Sequence, residues 1–184
     1  MKKMFAVFVP LVLVAAFAGI QPAAGQTFES WARPDAQVRG GPADQSYVGD
    51  DIYNHNARRQ TVQRIVRPGY CDQFNVMLEN DGEEVDSFIV RGMGSTSKFR
   101  VTYWYGPLNV TDDVVRGVFE SGDIEPGDAD YLMLDVCART LNRQGTTRTT
   151  LVSAMSTEEH VWDTVGARLK VDKHAGDFGS QRPI

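Results

Sequence analysis

The chain is poor in the residues that build metal and redox centres. It holds 2 cysteines and 3 histidines in 184 residues, too few for a thiolate zinc cage or an iron–sulfur site. His55, His160 and His174 lie far apart on expected loops, and none has a second His or Cys at ligand spacing. No Gly-x-Ser-x-Gly elbow is present, so no nucleophile, base or metal constellation can be assembled. No enzyme and no cofactor is expected. Positive charge is also scarce. Nineteen Lys and Arg against 24 Asp and Glu leave a formal charge of −5, which gives no electrostatic footprint for nucleic acid or anionic lipid. No segment sustains a helical period, and no long apolar run lies beyond residue 25. The mature chain is therefore expected to lack a membrane span.

What is present begins with an export address. Lys2 and Lys3 form a positive start, and Phe5–Ile20 is apolar and uncharged. This run is shorter than the roughly 20 residues of a comfortable span. Ala23-Ala24-Gly25 then supplies small side chains, so residues 1–25 read as a signal peptide cleaved after Gly25, with Ala18 as second choice. An uncleaved N-terminal anchor is the alternative. The expected location is secreted, periplasmic or at the cell surface, where a disulfide is allowed.

Residues 26–59 are rich in Gly, Pro, Ala, Asp and Gln and read as a loop-rich segment with at most one short strand, packing on the sandwich. From Gln60 the pattern becomes period two, the signature of half-buried strands. Tyr70–Glu79 alternates Phe74, Val76 and Leu78 against Asn75, Met77 and Glu79, and Asn80-Asp81-Gly82 turns the chain. Ser87–Arg91, Phe99–Tyr105, Asp130–Ala138, Thr147–Met155 and Thr164–Val171 read likewise, while Asp112–Glu120 suggests a helical turn and then a strand. The expected fold class is all-β: an antiparallel immunoglobulin-like sandwich of seven to eight strands over residues 60–172, with a flexible tail at 173–184. A barrel is the competing architecture.

The two cysteines can be tested by parity. Cys71 falls on the Asn75/Met77 side of its strand, and Cys137 falls opposite the Leu132/Leu134/Val136 stripe. Both thiols point to the outer side of a sheet, one at a strand start and one at a strand end. In antiparallel neighbours those positions meet, which predicts a cross-strand disulfide; two free thiols are the alternative.

The order of several motifs resembles an uncharacterised unit of secreted bacterial proteins. These are Arg33-Pro34-Asp35, Tyr47-Val48-Gly49-Asp50-Asp51-Ile52-Tyr53-Asn54, Arg67-Pro68-Gly69, Val76–Gly82, Asp86–Gly92, Asn109-Val110-Thr111 and Glu125-Pro126-Gly127. The Pro-Gly turn leading to an alternating strand and an Asn-Asp-Gly turn is similar to immunoglobulin-like modules of the CARDB/NEW3 type. That resemblance implies a spacer or accessory module of the envelope and brings no catalytic residues.

Three features could carry binding. Trp104 has outward parity between Tyr103 and Tyr105, so it could anchor a sugar or a partner protein, unless a neighbouring loop covers it. Asp50 and Asp51, and separately Asp112 and Asp113, could offer oxygen ligands to Ca²⁺; nothing matches an EF-hand loop, and solvated acidic turns are the plainer reading. Arg58, Arg59, Arg64 and Arg67 read as a solvated positive face. The expected function is a non-catalytic envelope module for protein interaction or spacing. The alternative is a carbohydrate-binding module, so the expected partner is an envelope or extracellular protein, or a polysaccharide.

Overall fold

A computed structural model of the chain describes residues 31–41, 44–176 and 182–184. The expected signal at 1–25 lies outside the described residues. Among the described residues, eleven strands and one short helix run in this order: β1 Pro34–Gly40, β2 Thr61–Val66, β3 Tyr70–Asn80, β4 Phe88–Gly92, β5 Phe99–Tyr105, β6 Leu108–Asn109, α1 Thr111–Arg116, β7 Phe119–Glu120, β8 Ala129–Ala138, β9 Thr147–Ser156, β10 Trp162–Val171 and β11 Arg182–Pro183. One sheet runs β1-β3-β8-β5-β6, with β11 also on β3; the other runs β2-β10-β9-β4-β7. The protein is an all-β sandwich of the immunoglobulin-like kind, and neither sheet closes into a barrel among the described residues. Among the described residues, every strand pairing is antiparallel except β2 on β10, which is parallel.

Alternation produces this fold directly. Phe74, Val76 and Leu78 of β3, Leu132, Leu134 and Val136 of β8, and Val101 and Tyr103 of β5 are buried on one inner face. Phe88 and Val90 of β4, Val152 and Ala154 of β9, and Val165, Ala167, Leu169 and Val171 of β10 are buried on the other. Each large aliphatic or aromatic side chain so removed from water contributes about 1.5–3 kcal/mol before entropy is counted. Tyr103 is fully buried, and its hydroxyl donates to the Met93 carbonyl at 3.0 Å, which removes the cost of burying it.

Strand pairing extends past 60–172 at both ends of the chain. The sandwich does not begin near residue 60: β1 pairs in seven-residue register with β3, from Pro34↔Asn80 to Gly40↔Phe74, and buries Ala36 and Val38 in the core. In the expected tail, Arg182 pairs with Cys71 and Pro183 with Tyr70, continuing the line of β1 along β3, while 177–181 lie outside the described residues. Arg64 also departs from a solvated face. It reaches from β2 to the buried Asp72 of the opposite sheet at 3.1 Å and to Asp44 at 3.2 Å.

The disulfide is present. Cys71 and Cys137 stand directly opposite each other on β3 and β8 and are bonded. Both side chains lie on the outer face, yet both are buried. Arg182, opposite Cys71, is tied to Asp135 at 3.0 Å, and the Arg100 guanidinium lies 3.6 Å from the Cys137 sulfur. The stems of these long side chains screen the bridge from water.

Candidate functional site

The densest polar arrangement lies at the β1 edge, where the loop between β1 and β2 folds over the outer face of β3. Period two sends Ala36 and Val38 into the core, so Asp35 and Gln37 point the other way. The antiparallel register sets Asp35 opposite Glu79. An isolated bridge, Val38↔Val48, starts the loop back along β1, and Gly49 then turns with φ 129°. A β-carbon on Gly49 would stand 2.7 Å from the Ala36 carbonyl oxygen, so this turn requires glycine. The turn delivers Asp50. Oxygens of Asp35, Asp50 and Glu79 all lie within 4.8 Å of one another, the only such group of three or more among the described residues.

One neutral amide sits among these carboxylates. Gln37 Nε2 donates to Asp35 Oδ2 at 3.1 Å, Asp50 Oδ1 at 3.2 Å and Glu79 Oε2 at 2.7 Å. Asp51 donates its backbone N–H to Asp35 Oδ2 at 3.1 Å, and Tyr53 donates its hydroxyl to Asp81, with Asp51 Oδ1 3.3 Å from the same hydroxyl oxygen. Asp35 is fully buried, and its other oxygen, Oδ1, has no hydrogen-bond donor. Burial, reinforced by the like charges of Asp81 and Asp163, pushes the Asp35 carboxyl up to about 7 against the opposing Asp51 N–H. Glu79 is also raised, first by burial and then by Asp81, Asp50 and Asp51. The Tyr53 hydroxyl is held protonated by burial and by Asp81. Nearby arginines are directed at rings: Arg33 lies over Tyr53 at 4.6 Å, and Arg39 lies over Tyr47 at 4.8 Å.

Asp163 of β10 anchors the same loop from the opposite sheet. Its carboxylate accepts the N–H of Ala36 at 3.0 Å, the N–H of Asn54 at 2.7 Å and Gln60 Nε2 at 2.8 Å. Burial raises its pKa while these donors hold it down. One carboxylate thereby joins β1, the loop, the start of β2 and β10.

The other candidate residues are dispersed. Asp51 belongs to the loop over β1, but Asp112 and Asp113 open α1 at the far side of the sandwich, where Asp113 pairs with Arg116. His55 stacks on Trp162 with centroids 3.9 Å apart, and no histidine joins a potential ligand group among the described residues. Trp104 is half-buried on the outer face of β5. It shares a shallow hollow with Arg39, Tyr47, Asn75 and Tyr131, and its indole Nε1 is buried without an acceptor. Nothing in the local sequence links Asp35 or Glu79 to Asp50. Their signal is outward parity of two acidic residues on strands that pair, legible only once the β1–β3 register is known.

A second surface lies at the β6/α1/β7 edge. Both sheets end there in two-residue strands, α1 bridges them, and Tyr105 meets Phe119 edge-on at 5.4 Å. Leu108, Val115, Val118 and Met93 are exposed around this closure, and Val115 packs beside Gly94.

No protein-family model matches the chain, and no curated protein matches it. Among solved structures it is similar to the N-terminal domain of PorA, at 18% identity and a TM-score of 0.45 over 76% of this chain and 99% of that one. It is similar to PapD-like domain 7 of human CEP192, at 9% and 0.41 over 85% and 96%. It is also similar to a FixG-related protein from Vibrio parahaemolyticus, at 13% and 0.39 over 75% and 95%. The architecture of this chain rests on its own strand order and register, which define a two-sheet, immunoglobulin-like sandwich.

Proposed function

We propose that the chain is a non-catalytic, exported module of the CARDB/NEW3 kind, which engages a protein of the envelope or extracellular space and so links or spaces it. The export address, the disulfide and the motif order support the setting. The observation that carries the binding role is the β6/α1/β7 edge, where Leu108 is 61% and Val118 is 57% exposed beside short, unextended edge strands. Exposed aliphatic side chains next to open strand edges suit strand addition or apolar docking by a protein partner. A photo-crosslinking residue at position 108 should capture one envelope protein. Capture should disappear in Leu108→Asp/Val118→Asp without loss of thermal stability. Undiminished capture by that variant would reject this edge.

A second reading is favoured by the hollow at Trp104. Trp104, Tyr47 and Tyr131 offer aromatic surface beside Arg39 and Asn75, a composition suited to stacking against a sugar ring. Retention on a polysaccharide matrix, lost in Trp104→Ala, would favour carbohydrate binding over protein engagement.

A further inference from the structure

We propose that copies of this chain join head to tail, with Leu141 of one copy seated in the hollow beside Trp31 and Val85 of the next. The sandwich is polarised along its strands. Loops 67–69, 93–98, 139–146 and 172–176 gather at one end and carry five Lys and Arg against one carboxylate, Asp172. Asp172 is itself occupied, by the Gln144 amide and the His174 N–H. Loops 81–87, 121–128 and 157–161 gather at the other end and carry nine Asp and Glu with no Lys or Arg. The net charge of −5 therefore conceals a basic end.

Each end also carries an apolar feature that the other can meet. At the basic end Leu141 is 95% exposed, more than any other large apolar side chain among the described residues. It lies between Arg139 and Arg143 in sequence, and Lys98 lines the same surface. None of these three cations is ion-paired among the described residues. The turn that presents Leu141 is fixed in advance. The buried Asn142 donates Nδ2 to the Lys98 carbonyl at 2.8 Å, and the Arg139 N–H donates to the same carbonyl at 3.0 Å. At the acidic end, a hollow of about 350 Å³ is lined by Trp31, Val85, Glu84, Glu158 and Glu159. Trp31 and Val85 are exposed there, and Glu84 and Glu158 have no ion pair among the described residues. A leucine flanked by guanidinium groups thus meets an apolar floor rimmed by carboxylates, so burial of Leu141 and charge pairing favour one pose. An acidic polysaccharide would satisfy the arginines but leave Leu141 in water, which favours a second copy. Two unlike patches that fit each other make a heterologous contact, which passes from copy to copy instead of closing as a two-fold pair. The contact uses neither Leu108 nor Val118, so it is separate from the edge assigned to a partner protein.

The test is sedimentation velocity of the mature chain over rising concentration, at about 0.01 M and about 1 M salt, where the screening length falls from about 30 Å to about 3 Å. In dilute salt the mass should rise past that of a dimer, and in concentrated salt it should return to the monomer. Leu141→Asp and Val85→Asp should each weaken association at least about tenfold without changing Tm. An equal mixture of the two variants should form a dimer that stops at two, because one keeps the hollow and the other keeps the leucine. Should Val85→Asp fold poorly, Glu84→Gln/Glu158→Gln takes its place. Leu108→Asp/Val118→Asp should associate like the parent. A parent that stays monomeric in dilute salt, undiminished association in Leu141→Asp, or a mixture that stays monomeric would overturn the proposal. A parent dimer that stops at two would replace head-to-tail joining with a two-fold pair. Binding of a monomeric parent to phosphatidylglycerol vesicles, lost in Leu141→Asp, would overturn self-association and reassign the leucine to a lipid surface.

Discussion

The two ends of the β3 strand are held by different physics. At its start, Cys71 is bonded to Cys137 and screened by Arg100 and Arg182. At its far end, Glu79 faces Asp35 under a loop secured by buried carboxylates, one amide and backbone N–H groups. The first arrangement is covalent and indifferent to pH and ions. The second gathers negative charge around the buried Asp35, so its stability depends on pH. A response to pH is better sought at the second end.

Removing the covalent end should have the largest effect. The Cys71→Ala/Cys137→Ala pair opens a loop with a sequence separation of 66, and in the chain-entropy model it should lose about 4 kcal/mol in urea unfolding. If the comparison is sound, the pH response of the acidic end survives in that variant. Next comes Asp163→Ala, which strips partners from the Ala36 and Asn54 N–H groups and from Gln60. It should cost about 3 kcal/mol and open the loop at residues 48–60 to limited proteolysis; a loss below about 0.5 kcal/mol breaks the idea that this carboxylate anchors the loop. Gly49→Ala should cost about 1–2 kcal/mol, because it forces a β-carbon onto the Ala36 carbonyl at positive φ. The gentlest probe is pH itself. Asp35 is raised from 3.8 to about 7 on folding, so the folded state holds the extra proton between those values. Its contribution is full below the unfolded value and is lost as pH rises toward 7. Tm should therefore fall over that window, and Asp35→Asn should flatten the fall.

The sandwich was legible where apolar residues alternate. Phe74-Val76-Leu78, Leu132-Leu134-Val136 and Val165-Ala167-Leu169-Val171 declare both strand and face, and parity brings the two cysteines together once β3 and β8 are taken as antiparallel neighbours. β1 was obscure because its sequence, Pro-Asp-Ala-Gln-Val-Arg-Gly, offers only Ala36 and Val38 to the core and buries Asp35 and Gln37 outside it. Buried polar residues break the pattern that reveals strands, and such breaks concentrate at sites with work to do. β2 was obscure for a related reason: Arg64 occupies a core-side position because it is paired with Asp72. Of the acidic group, only Asp50 stood out locally. Asp35 and Glu79 are far apart in sequence and meet only through strand pairing.

Hydrogen exchange, measured at about pH 5 and about pH 8 and corrected for intrinsic rates, tests the division most directly. Amides of the loop at residues 48–60 should lose protection at the higher pH as Asp35 ionises, while the β3–β8 pair around Cys71 and Cys137 stays unchanged. Equal loss in both regions, or none in the loop, would contradict the account.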